Sequence, residues 1–357
     1  MATQSSVRTE VRRCGRSRWF HYVLGYIACG YLFIAAAFSQ SKCAQGTVEL
    51  KSKNQASDYG ILRSGDNGST WMRVVNDSGA IQTMIENSSG GILAGTLGAI
   101  SGPKMHLGLL RSDDGGMTWK RASTCSNGED LSDIRTIVRL SEGHLLAGGG
   151  AGFLRSDDNG SSWAHVNQPG PAPSVQYLVA TEQDVAFAAT YDGVLRLDKN
   201  LTSSPAGLKG VPINVVLLSR SGVLFVGSRK GVQRSTDGGR TWRSLLSLGQ
   251  SYVSAMTADF GGNMYAGVVD QGVYRSNDGG VSWKRLQTPG TKPQIYALAA
   301  GIHGDVFVAI GGNVLRSTDS GSTWTRILEL HLPDVAVGSI LITRKGILLV
   351  GLNSVGE

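Results

Sequence analysis

Six aspartates recur in one nine-residue context, which makes their carboxylates the most regular chemical feature of the sequence. In each copy a serine lies two residues before the aspartate, a glycine two residues after it, and a tryptophan five residues after it. A carboxylate in this setting can act as an acid or base, bind a cation, or hold the backbone of a turn. The six are Asp66, Asp114, Asp158, Asp237, Asp278 and Asp319.

The neighbouring residues favour the turn. A carboxylate accepts several backbone N–H groups in a tight turn, and a glycine such as Gly239 permits a positive φ there. The sequence DNG at Asp66 and Asp158 is similar to part of a calcium loop, but the distal bidentate glutamate is absent. We therefore predict no metal and no cofactor. The tryptophans should bury a large surface between neighbouring units, and they are Trp71, Trp119, Trp163, Trp242, Trp283 and Trp324.

The spacing of these stretches reveals an internal repeat. Successive aspartates are 48, 44, 79, 41 and 41 residues apart, and the gap of 79 holds a degenerate copy, YDGVLRLDKNLTSS, from Tyr191. Seven units of about 40 residues result. A full unit contains four strand-like runs, for example YVSAMTAD from Tyr252, NMYAGVV from Asn263, GVYRS from Gly272 and SWKRLQ from Ser282.

Unit length, strand number and glycine-rich turns are typical of a β-propeller blade. The first unit begins only at its third strand, YGILRS from Tyr59, whereas SILITRKGILLVGL from Ser339 supplies two strands and then stops. We predict an all-β, seven-bladed β-propeller over residues 58–357. Its blades are four-stranded, and N- and C-terminal strands pair within one blade, which leaves no open sheet edge.

The six stretches resemble the Asp-box, or bacterial neuraminidase repeat, pattern Ser-x-Asp-x-Gly-x-Thr-Trp of the sialidase-like superfamily. This resemblance implies that each box forms the hairpin between the third and fourth strands, at the rim away from the ligand face. The layout is closest to the single-propeller group that includes the photosystem II assembly and stability factor. It implies a binding or scaffold protein rather than an enzyme.

An arginine precedes the serine position in all seven units, including the degenerate one. Two interpretations are open. In the first, the guanidinium groups form a basic belt that binds anions; in the second, the aliphatic parts of the side chains pack over aromatic surface while the guanidinium groups pair locally. The second is favoured. The arginines are Arg63, Arg111, Arg155, Arg196, Arg234, Arg275 and Arg316.

One position near the start of each first strand should line the mouth of the central channel, where propellers usually bind ligands. Aligned over the units, these positions are Gln82, Arg135, Gln176, Asn214, Ser254, Tyr296 and Gly338. The set is polar and rich in amides, which suits hydrogen bonding to a peptide or a sugar, although a solvated channel lining has the same composition. We take Gln82, Arg135, Gln176, Asn214 and Tyr296 as candidate ligand-binding residues.

A glycoside hydrolase of sialidase or xyloglucanase type is the alternative function. Such chemistry generally needs two carboxyl groups about 5–10 Å apart. Neither an Arg-Ile-Pro motif nor a glutamate partner for Tyr296 is identifiable, and no His/Cys cluster has metal-ligand spacing. The densest acidic segment, GEDLSD, is either a solvated loop or a catalytic or cation-binding one. The acids near blade entrances are Asp77, Glu129, Asp130, Asp133 and Asp334.

The charge of the chain is concentrated at its start. Of the net charge of +7, residues 1–39 carry +4, and the rest lacks the dense basic stripe of a nucleic-acid-binding protein. The run WFHYVLGYIACGYLFIAAAF follows the arginines, so residues 1–39 read as a cleaved signal peptide or an uncleaved signal anchor. Residues 40–57 would be a linker.

The cysteine pattern fits an exported protein. Cys43 and Cys125 would form a disulfide in an oxidising compartment, or remain free thiols. We expect a secreted or periplasmic monomer, or one anchored by its N-terminal segment. Its function would be to bind an envelope or extracellular protein, or a glycan, without catalysis, and its only membrane contact would be that segment.

Overall fold

The computed structural model describes residues 59–76, 79–97, 108–124, 133–168, 170–245, 251–289, 293–301, 303–332 and 334–354. Residue contacts divide the chain into the units Met1–Gln40 and Ser41–Glu357, and every described residue belongs to the second. The predicted leader, the linker, Cys43 and Cys125 lie outside the described residues. Within them, no helix is long and apolar enough to cross a bilayer.

The described residues contain twenty-nine strands, β1 to β29 in chain order, which form seven sheets arranged as the blades of a propeller; apart from one parallel pair in blade 2, the pairing is antiparallel. The first strands of blades 1 to 7 are β3 (Ala80–Glu86), β8 (Ile134–Arg139), β12 (Val175–Ala180), β16 (Ile213–Leu218), β20 (Val253–Ala258), β24 (Ile295–Ala300) and β28 (Val335–Ile342). The second strands are β4 (Ile92–Leu97), β9 (Leu145–Gly149), β13 (Ala186–Thr190), β17 (Leu224–Ser228), β21 (Met264–Val268), β25 (Val306–Ile310) and β29 (Leu348–Ser354).

The outer strands complete each blade. The third strands of blades 1 to 7 are β5 (Leu109–Ser112), β10 (Gly152–Ser156), β14 (Gly193–Leu197), β18 (Gly231–Ser235), β22 (Gly272–Ser276), β26 (Asn313–Ser317) and β1 (Gly60–Ser64). The fourth are β6 (Lys120–Arg121), β11 (Ser162–His165), β15 (Ser203–Pro205), β19 (Arg243–Ser244), β23 (Lys284–Arg285), β27 (Thr325–Glu329) and β2 (Met72–Asn76). A 3₁₀ turn, Ser141–Gly143, joins β8 to β9.

Blade 2 carries a fifth strand that the sequence pattern does not indicate. This strand, β7 (Ser123–Thr124), comes from the connection between blades 1 and 2 and pairs in parallel with β11. It covers the outer edge of that blade with backbone hydrogen bonds, which is one way in which edges are protected.

The first strands form the wall of the channel. Each contacts the first strand of the next blade, and β28 contacts β3, so the seven strands close a ring. Blade 7 has the order β2-β1-β29-β28, and Ile61 in β1 pairs with Gly351 in β29. The predicted seven blades and the closure by strands from both ends are confirmed.

Neighbouring blades interlock through a small residue on the second strand. The pocket above each small residue receives a buried β-branched side chain from the first strand of the next blade: a Cβ on Gly267 would lie 2.5 Å from Ile295 Cγ2, and one on Gly351 would lie 2.5 Å from Ile81. The seven β-branched residues are Ile81, Ile134, Val175, Ile213, Val253, Ile295 and Val337. Five of the small residues are Gly95, Gly148, Gly227, Gly267 and Gly351.

Filling one of these pockets should destabilise the ring. We expect Gly267→Val to lower the free energy of unfolding by about 1–3 kcal/mol, because extra carbon in a packed interior forces neighbours apart. Urea denaturation measures the change. The double variant Gly267→Val, Ile295→Ala should recover part of the loss; strict additivity of the two single variants would contradict the interlock.

Candidate ligand site at the channel mouth

The two ends of the channel carry different groups of polar residues. First strands begin, and second strands end, at the end that we call the mouth; the hairpins between third and fourth strands lie at the opposite end, which we call the box end. All six aspartate boxes occupy hairpins at the box end. The seven aligned first-strand positions lie at the mouth.

Each box turn is held by a short network of hydrogen bonds. In blade 4, Ser235 Oγ donates to Asp237 Oδ1 over 2.7 Å and accepts the backbone N–H of Gly239 over 2.9 Å. The backbone N–H of Thr241 also donates to Asp237 Oδ1 over 2.9 Å, and the Thr241 hydroxyl donates to Oδ2 over 2.5 Å. The aspartate is thereby occupied with its own turn, and the remaining five boxes repeat this pattern.

The backbone of the box explains its glycines. Gly239 has φ 87°, and the residue before it, Gly238, has φ 70°. Two successive residues in the left-handed region disfavour ordinary side chains. The residue preceding the invariant glycine is therefore Gly, Asn or Ser in all six boxes.

The degenerate hairpin of blade 3 keeps a carboxylate in a shifted place. Asp198 Oδ1 accepts the backbone N–H groups of Asn200 and Thr202, each over 2.9 Å. Hairpins between first and second strands use the same device with other residues, which the sequence analysis missed: Asp259 Oδ1 accepts the N–H of Asn263 over 2.9 Å.

Hydrogen bonding makes the box carboxylates strong acids. The hydroxyl and then the backbone N–H of the threonine four residues later lower the pKa of Asp66, Asp237 and Asp319 from 3.8 to about 2. A group whose pKa is lower in the folded chain stabilises it above the unfolded pKa, and this contribution disappears as the pH falls through about 2.

The protein should therefore lose resistance to urea between about pH 4 and pH 2. An Asp237→Asn variant should be less stable at neutral pH and should have a shallower pH dependence in this window, since it lacks one of the titrating groups. Urea midpoints measured at half-unit pH intervals test both. Parallel pH profiles for the two proteins would contradict the assignment.

The repeated arginines are engaged locally rather than facing solvent as a belt. Arg63 Nε donates to the carbonyl oxygen of Gly115 in the next box over 2.8 Å, and Arg275 Nη2 donates to Asn263 Oδ1 over 2.8 Å. Arg316 forms an ion pair with Asp305, and its guanidinium lies 5.8 Å from the ring centre of Phe307. These contacts agree with the packing interpretation.

The aligned mouth positions share one backbone feature. In every first strand the pairing with the second strand shifts register at this residue, so each occupies a β-bulge. A bulge re-aims the side chain and often lies beside a functional site. The bulged residues are Gln82, Arg135, Gln176, Asn214, Ser254, Tyr296 and Gly338.

Several of these side chains connect one blade to the next. Asn214 Nδ2 donates to the carbonyl oxygen of Val253 over 3.1 Å, and Ser254 Oγ donates to that of Ile295 over 2.6 Å. Tyr296 Oη donates to Gln294 Oε1 over 2.7 Å, and burial raises the pKa of Tyr296.

The one cation among the bulged residues is neutralised. Arg135 binds both carboxylate oxygens of Asp133 over 2.8 Å, and its Nη1 lies 3.2 Å from Ser174 Oγ. Gln176 Nε2 donates to the same hydroxyl over 3.3 Å. Asp133 is the one residue of GEDLSD that the structure describes, and it serves this ion pair.

The seventh bulged position has no side chain of its own, and Asn353 takes the space. A Cβ on Gly338 would lie 2.2 Å from Asn353 Nδ2. Asn353 is 7% exposed, and its Oδ1 has no hydrogen-bond partner. Alignment of the first strands could not identify Asn353, because this residue belongs to a second strand. The one indication in the sequence was that a glycine, Gly338, stands in a set of otherwise polar residues.

A cavity lies in the channel below the bulged residues, toward the box end. Its volume is about 1030 Å³, and Thr136, Tyr177 and Leu217 are among the residues that line it. Tyr177 is 39% exposed, yet the surrounding channel wall desolvates its hydroxyl, which raises its pKa. Among the described residues, no group of three or more His, Cys, Asp and Glu is arranged to hold a metal ion.

Comparisons with solved structures recover the propeller fold. The extracellular domain of BT4673 from B. thetaiotaomicron matches with a TM-score of 0.61 and 15% identity over 77% of this chain; the chain spans only 37% of that domain. YCF48 bound to D1 peptide matches with 0.56 and 19%, over 77% of this chain and 93% of that one. The GH74 enzyme of Niastella koreensis matches with 0.59 and 17%, over 77% and 51%.

At these levels of sequence identity the matches show only that the fold is shared. The neighbours include both binding propellers and enzymes. No family model matches the chain, and no curated protein matches it.

Proposed function

We propose that the chain is an exported, non-catalytic binding module that holds a segment of an envelope or extracellular protein at the channel mouth. The observation that carries this proposal is the ring of bulged, mostly polar residues there. The seven bulges lie at equivalent positions at one end of the channel, and six of the seven bulged residues carry a polar side chain, three of them amides.

Three further points support it. YCF48, a single propeller of similar length, was solved with a peptide bound. The matched part of BT4673 is an extracellular domain, which agrees with the proposal that residues 1–39 direct export of this chain. The repeated Ser-x-Asp-x-Gly boxes make the chain a candidate for the Asp-box superfamily, and within it for the assembly-factor group. We further propose that it acts as a monomer.

Capture of a partner from an envelope extract tests the proposal. The full chain should retain one stoichiometric protein, and Arg135→Glu and Tyr296→Ala should each release it. Arg285→Ala is the matched control, because this arginine lies on the fourth strand of blade 5 and bonds to the Gln271 carbonyl. Retention of the partner by both mouth variants would place recognition elsewhere on the protein.

A glycan ligand, or hydrolysis of one, is the second candidate, and the GH74 neighbour is the observation that favours it. A screen of sialyl, β-glucan and other glycan substrates addresses it directly. Turnover that disappears in Asp133→Asn would replace the scaffold interpretation with a hydrolase. The ion pair with Arg135 argues against that outcome, because the Asp133 carboxylate is already engaged by the guanidinium group.

A further inference from the structure

Among the described residues, the buried polar atoms at the mouth that have no partner all lie on one side of it. Three are Thr96 Oγ1, Asn313 Oδ1 and Asn353 Oδ1. Thr96 lies near the end of β4, Asn313 begins β26, and Asn353 lies near the end of β29. All three therefore belong to the mouth ends of the consecutive blades 1, 6 and 7. We call this region the acceptor arc.

The other side of the mouth is internally satisfied. In the described parts of blades 2 to 5, no buried side-chain atom at this end lacks a hydrogen-bond partner. Thr190 Oγ1 donates to the Gly193 carbonyl over 2.9 Å, and Ser228 Oγ accepts the N–H of Lys230 over 3.0 Å. The other unpartnered atoms among the described residues lie on Gln233, Arg234 and Trp324, none of which is at the mouth end of its strand or turn. His144 Nδ1, at the box end, lies 2.7 Å from Asp157 Oδ1.

An unpaired buried acceptor is unfavourable, because folding removes it from water without a replacement hydrogen bond. Two amide oxygens and one hydroxyl in the same arc would be satisfied by the hydrogen-bond donors of a molecule bound at the mouth. Asn353 is the central group, since its amide stands where the other six blades present a bulged side chain. Gln82 and Tyr296 flank it on blades 1 and 6.

We propose that the acceptor arc binds an extended peptide through its main-chain N–H groups. This inference rests on the proposed function and assigns it a place and a chemistry. The ligand must supply hydrogen-bond donors, because carbonyl-type oxygens of Asn313 and Asn353 accept and cannot donate. An extended peptide offers such donors at regular intervals, and an asparagine amide can pair with the N–H and C=O of one residue of an extended chain.

The aromatic residues favour a peptide over a sugar ring. Sugars are commonly held against exposed aromatic faces. The strongly exposed tyrosines near the mouth are Tyr191, 58% exposed in the turn after β13, and Tyr252, 38% exposed just before β20. Both lie outside the acceptor arc, where Tyr296 is instead packed against the core of blades 6 and 7.

Selection from a phage-displayed library of random dodecapeptides on the full chain tests the proposal. Recovered peptides are synthesised with blocked ends, and their dissociation constants are measured by fluorescence anisotropy. We expect Asn353→Leu to weaken binding at least tenfold while leaving the thermal midpoint unchanged or raised, because it removes an unsatisfied amide. The exposed Asn200→Ala at the box end is the matched control and should bind normally. N-methylation of individual peptide groups should abolish binding at a few adjacent positions.

The outcomes separate the two proposals. Peptides that bind Asn353→Leu normally but fail on Arg135→Ala would overturn the acceptor arc and leave peptide recognition at the mouth standing. Tolerance of N-methylation at every position would overturn main-chain recognition. Recovery of no peptide, together with binding of oligosaccharides, would overturn both. A fall in the thermal midpoint of Asn353→Leu would mark the residue as structural.

Discussion

Replacing Trp163 by alanine should lower the free energy of unfolding by about 3–5 kcal/mol, the range for truncating a buried aromatic side chain. Trp163 is 1% exposed and closes the box of blade 2. Its cluster contains Leu93 and Leu109 of blade 1 as well as Leu145 of blade 2, so its loss loosens the contact between two blades. That is a large fraction of the stability of an ordinary domain.

Urea denaturation measures this change, and a graded series gives the control. Trp163→Phe should retain most of the stability because it refills most of the volume. Trp242→Ala should cost less than Trp163→Ala, since Trp242 is only half-buried, although its indole N–H bonds to the carbonyl oxygens of Ala206 and Gly239. An equal loss at both tryptophans would show that burial does not set the cost.

Removal of residues 348–357 should abolish cooperative folding. The deleted strand β29 pairs with β28 on one side and β1 on the other, so the ring would open and two sheet edges would be exposed. It also carries the buried side chains of Leu348, Leu349, Val350 and Leu352. At about 1.5–3 kcal/mol each, these four side chains alone approach the entire stability of a typical domain.

Circular dichroism and thermal unfolding distinguish the outcomes. The shortened chain should show no sharp transition and should aggregate through its open edges. A control truncated after Ser354 keeps β29 whole and should melt like the full chain. A cooperative transition in the shorter variant would mean that six blades form a stable unit without closure.

The sequence predicted the features that depend on local pattern. Six copies of the box gave the period, and Asp237 accepts hydrogen bonds from the residues of its own turn. The mouth positions, aligned by counting along the first strands, coincide with the bulges because the bulge recurs at the same step of every repeat. In the degenerate unit, the acceptor Asp198 was not predicted because it lies one residue before the aspartate position of the box.

Features that depend on contacts between distant residues were beyond the sequence. Asn353 could not be assigned to the mouth, because its place is defined by the empty space at Gly338, fifteen residues away on another strand. The pockets above Gly267 and its counterparts are filled by side chains of the neighbouring blade, so the sequence of one blade does not reveal them. The pairing of Arg135 with Asp133 likewise removed a candidate acid that looked available in the sequence.

The pairing of Ile61 with Gly351 also dictates when this protein can finish folding. The hairpin of β1 and β2 leaves the ribosome well before its partner strand β29, because Gly351 follows Ile61 by 290 residues in the chain. Until then the hairpin has an unpaired edge, a recognised hazard for association with other chains. A chaperone that shields nascent segments should therefore be most valuable at this hairpin, and circular permutation that starts the chain at blade 1 should speed maturation.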